Sequence, residues 1–65
     1  MFATYLCIEA LAHDAQPHLP ALFISKNERC VLELTNFGAY YKDEEGYLYP
    51  ISDEELERHF VEVSA

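Results

Sequence analysis

Apolar and polar positions alternate in short runs through the first fifty residues, and the spacing changes only near the end of the chain. In residues 2–11, Phe2, Leu6, Ile8 and Ala10 share one face of an extended segment, interrupted by Thr4, while Tyr5, Cys7 and Glu9 share the other. Phe, Thr, Tyr and Ile favour strands, so a strand is predicted; Ala3, Leu6, Glu9, Ala10 and Ala12 keep a helix as the alternative. Residues 13–20 hold two prolines and no periodic apolar pattern, which predicts a loop. Two apolar runs, 21–25 and 30–34, flank the polar Lys26, Asn27, Glu28 and Arg29 and predict a hairpin. Residues 35–38 are expected to break the chain. A second hairpin is predicted from 39–42 and 47–51 around Asp43, Glu44, Glu45 and Gly46. Gly46 suits the positive-φ position of such a turn, and Pro50 points to an edge strand.

The period then becomes helical. Ser52 with Glu55 three residues on forms a capping box, and Ile51 with Leu56 forms a hydrophobic staple. Asp53, Glu54 and Glu55 suit the positive end of a helix dipole. Leu56, Phe60 and Val63 follow at i, i+4 and i+7, so a helix is predicted over 53–62. The pattern as a whole predicts a single domain over residues 1–65 of α+β class: a small antiparallel β-sheet of four to five strands with one C-terminal α-helix. No internal repeat or low-complexity segment is present.

Composition narrows the picture. Sixty-five residues make one core only, and 51% apolar residues with five Tyr and four Phe exclude a disordered acidic tail. A domain of this size buries only about 60% of its unfolded surface, so it is expected to be marginally stable. Cys7 and Cys30 are too few for a disulfide framework; both sit in apolar stretches and read as small buried hydrophobes, with one bridge between them as the alternative. The N-terminal residues lack the basic region of a signal peptide, and no apolar run approaches the ~18 residues of a membrane span. A soluble protein of the host cytoplasm is expected, with no membrane partner.

Charge is where the sequence departs from the ordinary. Residues 43–65 hold eight of the twelve acids and one base, Arg58, for −7. Residues 1–42 hold four acids and three bases, for −1, which accounts for the net −8. Such a pole repels nucleic acid and anionic membrane, and it steers toward basic surfaces. Four basic residues against twelve acids cannot neutralise a phosphate backbone, so direct nucleic-acid binding is disfavoured and none is expected.

Catalytic and metal chemistry find little support. His13 and His18 lie five apart, and no C-x-x-C or H-x-x-x-H spacing exists for zinc. The acidic turn fails as a calcium loop, because Tyr41 stands five before Gly46 and Ser52 six after it. Cys30 with a histidine makes a nucleophile only on paper. No metal, no cofactor and no enzymatic activity are expected. The remaining candidates are Asp43, Glu44, Glu45, Asp53, Glu54 and Glu57 as one continuous anionic surface, with Tyr47 as an aromatic anchor. Part of that charge has a plainer reading, since Glu54–Arg58 and Glu55–His59 at i, i+4 support the helix.

The segment 43–63, DEEGYLYPISDEELERHFVEV, resembles the C-terminal part of small phage and prophage proteins, in which a glycine turn, a strand ending in Tyr-Pro and a short acidic helix recur. The profile of the chain, tiny, acidic, cysteine-poor and without a shared motif, is similar to that of phage-encoded anti-CRISPR proteins. Restriction-enzyme decoys and nuclease inhibitors share that profile. The resemblance implies a non-enzymatic inhibitor acting by DNA mimicry on a basic nucleic-acid-recognition surface, such as that of a CRISPR effector subunit. The alternative is a phage structural or accessory protein that self-associates or binds a partner without mimicry. A monomer is expected, with a dimer as the alternative.

Overall fold

A computed structural model describes residues 1–63. It contains seven strands and one helix: β1 (Phe2–Cys7), β2 (Leu11–His13), β3 (Leu22–Ile24), β4 (Arg29–Thr35), β5 (Gly38–Lys42), β6 (Leu48–Ile51), α1 (Asp53–His59) and β7 (Phe60–Glu62). Five of these strands form an antiparallel sheet in the order β6-β5-β4-β1-β7, and β2 pairs with β3 in a separate two-stranded sheet. The chain is therefore α+β as predicted; the main sheet has five strands, within the expected four to five, but β3 leaves it for the small sheet and β7 takes the fifth place.

Pairing in register puts Tyr5 opposite Cys30, Leu32 opposite Tyr41, Ala39 opposite Ile51, Tyr41 opposite Tyr49 and Cys7 opposite Phe60. Directly opposed residues point the same way, so these side chains define one inner face. On it lies the core: Tyr5, Cys7, Cys30, Leu32, Ala39, Tyr49, Ile51 and Phe60, joined by Leu11, Leu22 and Ile24 from β2 and β3. Leu56 of α1 packs against this cluster from the helix side. The alternate residues of the same strands, among them Phe2, Val31, Leu48 and Val61, fall on the outer face and are exposed.

Three expectations are corrected. The strand expected over 2–11 stops at Cys7, bends, and resumes as β2; of its two faces, the one with Tyr5 and Cys7 is buried. The hairpin expected from 21–25 and 30–34 does not form, because β3 pairs back with β2 and β4 pairs with β1. The intervening turn is tied to β1 instead: Cys7 N–H donates to the Glu28 carbonyl at 2.8 Å, and Asn27 N–H donates to the Cys7 carbonyl at 2.7 Å. Asn27, at φ 75°, supplies the left-handed residue that redirects the chain from one sheet to the other. The expected break at 35–38 is a tight hairpin turn between β4 and β5. Thr35 Oγ1 accepts from Phe37 N–H at 3.0 Å and donates to the Gly38 carbonyl at 3.1 Å.

The helix also departs from its expected span. It starts as predicted, with both halves of the Ser52/Glu55 capping box formed, but ends at His59 rather than 62. Phe60 is extended (φ −133°, ψ 151°), and residues 60–62 complete the free edge of β1. Phe60 is thereby buried and meets Tyr5 edge-to-face at a 6.3 Å centroid separation. The ladder bonds on β1 and the burial of Phe60 outweigh a last helical turn, which would have left that edge unpaired. Strands β6 and β7 run in the same direction, so α1 is the crossover that carries the chain across the inner face from one sheet edge to the other.

Candidate functional site

The acidic residues separate into two groups at opposite ends of β6. The first is the β5–β6 turn. Asp43 Oδ1 accepts the Tyr47 N–H at 2.8 Å and the Glu45 N–H at 3.0 Å, while Gly46 (φ 95°) donates to the Asp43 carbonyl at 3.1 Å. Asp43 is thus spent on holding the turn, as an aspartate at such a position ordinarily is. Glu44 and Glu45 are exposed, and Tyr47 is 40% exposed at the turn's end. Tyr49, two residues on, is buried and donates its hydroxyl to the Pro20 carbonyl at 2.9 Å.

The second group lies on α1. Asp53, Glu54 and Glu57 are exposed, and among the described residues their carboxylates meet no ion-pair or hydrogen-bond partner. The expected i, i+4 pairs within the helix do not form. Arg58 reaches out to Glu9 (Nε to Oε2, 2.9 Å), and His59 Nδ1 bonds the Glu9 carbonyl at 2.9 Å. Glu55 pairs with His13 at 2.7 Å. Both bases at the helix end are therefore turned toward Glu9, which leaves the first turn and the Glu57 side uniformly negative. Positions three and four apart on a helix hold their Cβ atoms about 5–6 Å apart, so Asp53, Glu54 and Glu57 form one compact row.

The two groups do not merge into one continuous surface. The four residues of β6 span roughly 13 Å at 3.3 Å per residue. The β2–β3 segment also stands beside them: His13 touches Glu55, while Pro20 and Ala21 lie with Tyr41 against the turn acids. Of the seven predicted positions, Asp43 holds its turn; Glu44, Glu45 and Tyr47 lie exposed at one end of β6, and Asp53, Glu54 and Glu57 lie exposed at the other.

Glu55 has a different character from its neighbours. Partial burial by itself would raise its pKa, but the Ser52 N–H and the His13 ring outweigh that and hold the carboxyl below its ordinary value. The thiols are free and buried. Burial, then proximity to Cys7 and Glu28, pushes Cys30 up to about 11, so its nucleophilic thiolate is scarce at neutral pH. Among the described residues, no three His, Cys, Asp or Glu side chains gather in a metal-binding arrangement. An open depression of about 490 Å³, lined by Met1, Phe2, Ala3, Thr4, Arg29, Leu34, Glu62 and Val63, holds one acid, one base and no histidine or cysteine. No helix of the described residues is long and apolar enough to cross a membrane.

The apolar outer sheet face is not among the surfaces expected from sequence. Its signal was present: β4 carries the apolar Val31 between Cys30 and Leu32, so apolar residues point to both sides of a central strand. Compared with known proteins, the chain matches no family model, no curated protein and no solved structure.

Proposed function

We propose that this chain is a non-enzymatic inhibitor that occupies the basic nucleic-acid-binding surface of a host-cell protein, with the exposed side of α1 making the contact. The single observation that supports this reading is the row of Asp53, Glu54 and Glu57, exposed and unpaired among the described residues, while both nearby bases turn to Glu9. Fixed carboxylates on a capped helix match Lys and Arg groups arranged to hold phosphates, through charge-assisted pairing and long-range steering. Glu44, Glu45 and Tyr47 form a second contact patch at the far end of β6. The resemblance to anti-CRISPR proteins makes a phage origin and a CRISPR effector subunit the first pairing to test.

The test is capture from a host lysate at about 0.05 M and about 0.5 M salt, followed by binding to the purified target in competition with duplex DNA. The reading expects salt-sensitive capture of a DNA-binding protein and displacement of the chain by DNA. Glu54→Lys/Glu57→Lys is expected to weaken binding about tenfold or more while the circular dichroism spectrum is retained. Full binding by that double variant removes the helix from the interface. Capture that is indifferent to salt removes electrostatic mimicry altogether.

A further inference from the structure

We infer that the uncovered outer face of the five-stranded sheet is the contact surface for a second copy of this chain, packed sheet on sheet about a two-fold axis. The inner face is covered by α1 and the β2–β3 sheet, whereas the outer face leaves Phe2 70%, Val31 54%, Leu48 49% and Val61 45% exposed. Exposed apolar side chains are thus spread over four strands of this face, with Lys42 between Leu48 and Val31, and an exposed apolar surface of that extent marks an interaction site.

Charge selects the occupant. Arg29, Lys42 and Glu33 point outward from the strands, and Asp43 borders the same face beside Phe2, Val31 and Lys42, for two bases and two acids. That face is therefore neutral, and the remainder of the chain carries the whole −8. It is the side on which two copies approach with least repulsion. The central strand is also self-complementary. β4 is the middle strand of the five, and its outward residues run Arg29, Val31, Glu33: basic, apolar, acidic. A two-fold axis lying between the sheets, across the strands at Val31, stacks the two Val31 side chains. It also places each Arg29 over the Glu33 of the other copy. Outward residues two apart lie about 6.6 Å from each other along a strand, so both ion pairs form at once. The same operation brings Phe2 toward Leu6 of the other copy, because Phe2 pairs with Glu33 and Leu6 with Arg29 in the β1–β4 register. Such a contact is isologous and closes at two subunits. Only Lys42 is poorly served: it lies one strand out, in the same row as Val31, and faces its own counterpart.

The surface lies on the opposite side of the sheet from α1, so it stands or falls independently of the acidic helix. The test is sedimentation equilibrium of the full chain from micromolar concentration to about 1 mM. A mass of twice 7.5 kDa at the upper end is expected. Val31→Lys, at a position already exposed, is expected to return a folded monomer. Arg29→Glu and Glu33→Arg are each expected to weaken association about tenfold, and the double exchange Arg29→Glu/Glu33→Arg to restore it. Lys42→Ala is expected to tighten it. A 7.5 kDa species at every concentration overturns the inference and leaves the face to a different protein. Dimerisation unaffected by Val31→Lys, or a double exchange no better than the single variants, overturns this geometry.

Discussion

At the scale of single residues, chemically similar acids do different work. Asp43 holds two backbone N–H groups of its turn, whereas Glu44 beside it holds none. Asp43→Ala is therefore expected to lower stability by about 1–2 kcal/mol in a urea titration, and Glu44→Ala to leave it within about 0.5 kcal/mol. Glu55 is set apart by its bonds to Ser52 and His13. Its carboxyl titrates lower when folded than when unfolded, so the unfolded chain takes the proton more readily. The stability it contributes is present above its ordinary value of 4.5 and is lost as pH falls through the depressed folded value. Melting temperature is expected to drop across that acid window, and the drop to shrink in Glu55→Gln. Of this, the Ser52–Glu55 box was legible in the sequence, because its partners are three residues apart. The His13 partner was not, since it lies 42 residues away and reaches Glu55 only when β2 is laid beside the helix.

Among the elements, local patterns were read well and partners poorly. The β5–β6 hairpin was legible because an acidic turn with Gly46 closes two runs that pair with each other. The apparent hairpin from 21–25 and 30–34 carried a similar signal and failed. Period-two alternation says that a segment is extended but not which strand it joins, and the turn at Asn27 is bonded to Cys7 of β1. The end of α1 failed for a related reason. Phe60 fits a helical stripe and a strand equally well, and the choice was made by the unpaired edge of β1. β7 is only three residues long, so its hold on that edge depends on the one buried side chain, Phe60. Phe60→Ala is expected to cost about 3–5 kcal/mol, a large share of what a domain this small holds, and to broaden or abolish the unfolding transition. Val61→Ala, on the exposed side of the same strand, serves as the control and is expected to change stability by less than about 1 kcal/mol.

For the molecule as a whole, the α+β class followed from counting strands and one capped helix. The distribution of charge over the surface did not follow from sequence. The acids at 43–45 and 53–57 are near neighbours along the chain, but β6 separates them, and the turn consumes Asp43. The apolar outer face was illegible for a different reason: alternation assigns residues to two faces but does not say which face α1 and the small sheet will cover. The folded molecule therefore presents two unlike surfaces on opposite sides of one sheet, an anionic helix above and an apolar, nearly neutral face below.

The placement of β1 has a consequence for how the molecule is made. β1 is an interior strand, held on one side by β4 and on the other by β7, and its Tyr5 pairs with Glu62. β1 thus keeps an open edge until β7, far along the chain from it, has been synthesised. Contacts so distant in sequence close slowly, and an unpaired apolar strand in the meantime is a template for pairing with other nascent chains.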